Sequence, residues 1–125
     1  MECTAGVSGC IRIRDDKELA QRLMDHIMYR LSGRYIREER KYGYRDIFFS
    51  ASMYPCFVNY PREDYIGLYR MAGRDCIEGA VELSDGCGCR YHRYNAETGQ
   101  WTELKGPGSA DSRGEVLVDL TKEAG

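Results

Sequence analysis

Leu19, Leu23, Ile27 and Leu31 recur every four residues, with Met24 and Met28 beside them. That period puts the apolar side chains on one stripe of an α-helix. The spacing predicts a helix over about Asp16–Leu31. Asp15 or Asp16 is the candidate cap, Asp15 with Glu18 resembles a capping box, and Ser32-Gly33 supplies the stop. A helix with one apolar stripe must bury it against another layer. The segments around it are strand-like, so this stripe constrains the fold more than any other feature.

Val7 to Arg14 reads as a strand, with β-branched Val7, Ile11 and Ile13 and a closing apolar/basic alternation. Tyr35-Ile36 begins a second extended segment that passes through the charged stretch Arg37 to Lys41. Tyr42-Gly43-Tyr44 suggests a turn or bulge, and Asp46 to Met53 returns as its hairpin partner. Pro55 and Pro61 break the chain. A short second helix near Arg62–Tyr69 follows, with Tyr65, Leu68 and Tyr69 on one side; a strand competes there because Tyr65, Ile66 and Tyr69 also favour extended chain. Ile77 to Leu83 alternates as a strand. Arg90 to Asn95 and Gln100 to Leu104 form a hairpin around Asn95–Gly99, whose glycine can take the left-handed position. Lys105 to Gly114 reads as a loop, and Glu115 to Leu120 as a last strand.

The expected architecture is a single α+β domain over residues 1–120. It has an antiparallel sheet of about five to seven strands, one long helix (about Asp16–Leu31) on one face, and a frayed tail at 121–125. The β–α–β opening allows a ferredoxin-like arrangement without demanding it.

The charge balance is −2, so the field of the whole chain does not recruit nucleic acid. Locally, five basic residues (Arg34, Arg37, Arg40, Lys41, Arg45) stand against Glu38 and Glu39. From Glu97 onward six acids stand against three bases. No apolar run reaches the roughly 20 residues of a membrane span, and the N-terminus lacks a signal-peptide pattern. A cytoplasmic location, no membrane partner and reduced thiols are the expectation. Cys10 and Cys56 read as small core residues.

The densest run is Cys87-Gly88-Cys89-Arg90-Tyr91-His92-Arg93-Tyr94, with the only tryptophan, Trp101, on the next strand. Cys87, Cys89 and His92 are candidate zinc ligands, with Cys76 or Cys3 as a fourth. Strand alternation weakens this reading: Cys87, Cys89, Tyr91 and Arg93 share one face, and Arg90, His92 and Tyr94 share the other. Arg90, His92 and Tyr94 could grip a phosphate-bearing ligand, with Tyr94 and Trp101 stacking on a base or a protein. A five-residue loop would set Arg93 opposite Trp101; a four-residue loop would set Tyr94 there. The plainer reading is that these rings lace the strands together.

No nucleophile elbow, phosphate-cradling loop, H-E-x-x-H or dinucleotide fingerprint is present, so no catalytic residue and no cofactor is implied. His26 falls on the flank of the helix. Ten tyrosines against three phenylalanines exceed what one small core can satisfy, which favours binding surfaces. Two patches are expected: Arg90, Tyr91, His92, Arg93, Tyr94 and Trp101, and Arg37, Arg40, Tyr42, Tyr44 and Arg45. The expected function is non-enzymatic binding of a protein partner, an inhibitor of a bacterial defence protein from a phage or mobile element being one instance. A nucleotide-binding protein and a zinc-stabilised module are the alternatives. A homodimer through the Val116–Leu120 edge is also open.

Overall fold

The computed structural model describes residues 5–31, 33–53, 62–85, 88–104 and 115–123. Seven strands form one sheet: β1 (Ala5–Arg14), β2 (Gly33–Lys41), β3 (Tyr44–Met53), β4 (Cys76–Asp85), β5 (Gly88–Asn95), β6 (Gln100–Leu104) and β7 (Val116–Asp119). Three helices accompany them: α1 (Lys17–Arg30), α2 (Arg62–Ala72) and α3 (Leu120–Glu123). The sheet order is β2-β3-β1-β4-β5-β6-β7, and every neighbouring pair is antiparallel. The first four strands with α1 and α2 make a β-α-β-β-α-β unit with β1 and β3 at its centre, which is the ferredoxin-like arrangement. Hairpin connection then extends the sheet beyond β4 through β5, β6 and β7.

Asp16 caps α1, its carboxylate accepting the Leu19 N–H at 3.1 Å. Asp15 does not take part in the cap, because it binds Arg45 and Arg40 instead. Leu19, Leu23, Ile27 and the following Leu31 are buried, as the four-residue stripe requires. α1 spans 14 residues between its caps Asp16 and Leu31, and it shares the face of the sheet with α2. The second helix runs on to Ala72, for 11 residues. It buries Tyr65, Ile66, Leu68, Tyr69 and Ala72 at helical spacing, which decides against a strand there. Side chains of both helices join Val7, Ile11, Ile13, Ile47, Val81 and Trp101 in one core on one face of the sheet.

Gly79 on β4 is where the extension locks onto the first half. A Cβ there would lie 2.3 Å from Trp101 Cη2, so only glycine lets the indole lie against the strand. The β5–β6 loop closes with Gly99 at φ +70, in the left-handed region. At the end of the chain, Leu120 is not part of a strand. It is buried and begins α3, while Thr121, expected to be frayed, bonds to Asp119 through its backbone N–H at 3.0 Å. Pro55, Pro61, Cys3, Cys56, Cys87 and the Lys105–Gly114 segment lie outside the described residues. No helix among the described residues is long and apolar enough to cross a membrane.

Candidate functional site

The pairing in the β5–β6 hairpin sets Tyr94 opposite Trp101 and His92 opposite Glu103. Alternation then divides β5 as the sequence implies, with His92 and Tyr94 on one side and Tyr91 and Arg93 on the other. The helices cover the His92 side. His92 is 2% exposed, Tyr94 is buried and Trp101 is 0% exposed. The Tyr69 ring of α2 stacks on Trp101 with centroids 3.9 Å apart and planes 5° from parallel. These three members of the first candidate patch therefore belong to the core and cannot meet a partner, a phosphate or a base.

His92 is the centre of a buried polar line. Burial holds the Tyr69 hydroxyl well above its usual ionisation range, so it stays protonated. It donates to His92 Nδ1 at 2.6 Å. The ring proton then sits on Nε2, which donates to Glu103 Oε1 at 3.1 Å. Arg90 Nε lies 3.9 Å from the same carboxylate oxygen. A Tyr–His–carboxylate line resembles a proton relay. Here its inner end, Tyr69, is sealed by Trp101 and closed to substrate, so the line satisfies polar groups in the core instead. Both His92 nitrogens are engaged and neither is left for a metal. Among the described residues no group of three or more His, Cys, Asp or Glu side chains could hold an ion. Cys87 and the Cys89 side chain lie outside that description.

The other histidine, His26, sits 2.7 Å (Nε2) from the Asp64 carbonyl oxygen and ties α1 to α2. Burial raises the Cys10 thiol to about 11 and the Cys76 thiol to about 12. Both stay protonated and are poor nucleophiles. Cys10 is only half-buried and lies on the opposite face from the core, a correction to its expected place.

The second patch also separates into parts. Arg45 is 8% exposed and donates to Asp15 at 2.7 Å and Glu38 at 3.0 Å. The Arg45 hydrogen bond, with Arg40 nearby, holds the Asp15 carboxyl below its usual range. Arg45 is thus an internal tie between the β1–α1 junction and β2, and not a contact residue. Arg40 pairs with Asp15 from the outside at 3.2 Å. Tyr44 lies beneath the Arg12 guanidinium, 4.1 Å from the ring centroid. Tyr42 is fully exposed at the β2–β3 turn.

Arg37, Tyr91 and Arg93 remain on the sheet face that the helices do not cover. They share it with residues that the sequence reading did not single out. Small side chains (Ser8, Cys10, Ser50, Ala80) run across the centre, and register aligns them: Ser8 opposes Ser50, and Cys10 opposes Ala80. Three shallow hollows result. The one at the β2 end, ≈ 580 Å³, is lined by Arg34, Tyr35, Arg37, Phe48, Ser8 and Ser50 among others. A central hollow holds Cys10, Arg12, Asp46, Glu78 and Ala80. The one at the β5 end holds Ser8, Ala80, Glu82, Tyr91, Arg93 and Leu104. Alternation along β1 hints at such a face, with Ser8, Cys10 and Arg12 out of phase with Val7, Ile11 and Ile13. The alignment of small residues across strands is a matter of register, which one strand does not reveal.

Comparison with protein-family models, with curated proteins and with solved structures finds no match for this chain.

Proposed function

We propose that this chain is a non-enzymatic binding protein that lays the uncovered face of its sheet against a protein partner. The observation that carries this reading is the contrast between the two faces. One is sealed by α1 and α2. The other stays open across β2, β3, β1, β4 and β5 and presents Tyr35, Arg37, Phe48, Tyr91 and Arg93 around a floor of small residues. Aromatic and arginine side chains around a depression are the composition of binding hot spots. Tyr42 and Arg40, at the β2–β3 turn, extend the surface at one edge. Support for a non-enzymatic role comes from the described histidines and thiols: His26 and His92 are hydrogen-bonded, and both thiols are protonated. Inhibition of a bacterial defence protein is one form such binding could take.

A second copy of the chain is the weaker candidate partner. β7 is an edge strand but has four residues, so pairing there would add few backbone bonds.

The test is capture of the native partner by the wild-type chain and by two open-face variants, Ala80→Arg and Arg93→Glu. Both positions are exposed, so the variants should keep the wild-type melting temperature. Loss of capture by both supports the reading; undiminished capture by both overturns it.

A further inference from the structure

We infer that the hollow at the β2 end of the open face binds a mononucleotide, a planar base carrying phosphate. This site is separate from the Arg90–His92–Tyr94 row; it shares Tyr35, Arg37 and Phe48 with the proposed docking face, but it is tested by ligand binding alone. Its volume, ≈ 580 Å³, falls within the range of about 300–1,000 Å³ typical of small-molecule sites.

The register arranges its side chains in two rows. Tyr35 opposes Ser50, which opposes Ser8, so one ring and two hydroxyls cross three strands. In the next row Arg37 opposes Phe48. The Arg37 guanidinium lies over the Phe48 ring, 4.7 Å from its centroid, and shields one face of it. Tyr35, 76% exposed, is the ring left for a base to stack on. Aromatic stacking tolerates any base, so the geometry selects a nucleotide without selecting which one.

Charge is sorted along the face in a way that suits phosphate. Arg34 and Arg37 line the β2-end hollow, and no carboxylate does among the described residues. The central hollow sets Arg12 against Asp46 and Glu78, and the β5-end hollow holds Arg93 together with Glu82, so of the three only the β2-end hollow has arginines with no carboxylate in its lining. Arg34 has no ion pair or hydrogen bond among the described residues. Arg37 has only a solvent-exposed approach to Glu39 at 3.7 Å, which a phosphate can outcompete. The Ser8 and Ser50 hydroxyls are placed to bond the sugar. Farther along the face Arg12 is already paired with Asp46 and Glu78, and Arg93 shares its hollow with Glu82, so a longer strand gains little there and the ligand is a mononucleotide rather than a polymer.

The test is calorimetric titration of the purified chain with AMP and GMP, and with adenosine, inorganic phosphate and an oligothymidylate as comparison probes. AMP and GMP should bind saturably at one site. Adenosine and phosphate, each lacking half of the contacts, should bind at least about tenfold more weakly. Arg34→Ala with Arg37→Ala should raise the Kd about tenfold or more. Ser50→Glu, checked for native circular dichroism, should abolish binding by setting a carboxylate in the hollow. Arg22→Ala, on the exposed side of α1 in the helix layer, should leave the Kd unchanged. The inference is overturned if no mononucleotide binds saturably at millimolar concentration, if Ser50→Glu still binds, or if the oligonucleotide binds more tightly than AMP.

Discussion

Replacing Gly79 with alanine tests the packing that joins the two halves of the sheet, because packing and propensity predict opposite signs. Alanine is the better residue in a strand by roughly 0.5–1 kcal/mol, so an unobstructed site would gain stability. The site is obstructed. The new methyl would lie 2.3 Å from Trp101 Cη2 and 2.8 Å from Cζ2. Carbon atoms in contact settle at about 3.5–4.0 Å, so the indole must retreat by roughly 1.2–1.7 Å. It has little room to do so. Trp101 is fully buried, with Tyr69 stacked on it at 3.9 Å and the Tyr94 centroid at 5.5 Å. Overpacking of this kind costs about 1–3 kcal/mol. For a chain between the two size classes of the usual scaling, that lowers Tm by roughly 3–18 °C. Urea unfolding monitored by tryptophan fluorescence measures the change, with the slope expected to hold constant. Trp101→Phe provides the second arm: in that background Gly79→Ala should cost less, giving a coupling of at least about 0.5 kcal/mol. A Gly79→Ala chain as stable as wild type, or more stable, would refute the reasoning.

Other outcomes follow from groups already described. His92→Leu leaves the Tyr69 hydroxyl buried without its acceptor and should destabilise by about 1–3 kcal/mol in chemical unfolding; a neutral result would mean that the Tyr69–His92–Glu103 line is not formed in solution. The Asp15 carboxyl is held below its ordinary value by Arg45, so its contribution is present above that value and is lost as pH falls through the lowered one. Stability should therefore decline on acidification below about pH 4, and Asp15→Asn should flatten that decline; an unchanged acid limb would count against the ion pair. Cys76, raised to about 12 by burial, should resist iodoacetamide at pH 8 in the native protein and react in urea, as read by peptide mass spectrometry. Equal labelling in both states would contradict its burial.

The local periods of the chain are where the sequence was most readable. The Leu19–Leu31 stripe and the alternation of β1 and β5 correspond to buried faces of α1, β1 and β5. Gly99 closes its hairpin in the left-handed region as expected. What local periods do not carry is which strand face receives the helices. Alternation groups His92 with Tyr94, but only α2, through Tyr69, decides that this side is the core. The same holds for Arg45: its position in a basic stretch suggests a surface contact, yet Asp15 and Glu38 come from distant segments to enclose it. The open face depends on the register of three strands from well-separated parts of the chain, so Ser8, Ser50 and Ala80 gave no individual signal. Tyrosine abundance pointed to the surface correctly for Tyr35 and Tyr42 and misled for Tyr94, whose ring joins those of Tyr65 and Tyr69 in the core.

The Trp101 indole has a consequence for how the chain reaches its native state. β1 is the central strand of the first unit, and its partners β3 and β4 are far from it in sequence, so early ordering depends on closing long loops. Even after β4 has docked, the surfaces of Gly79 and Tyr69 stay open to water until β6 delivers the indole. The ferredoxin-like unit is therefore expected to be an incomplete folding unit that the β5–β6 hairpin completes. Amide exchange in β1, β4 and β6 should follow a single global opening, with no stage at which the first four strands persist after the last three have melted.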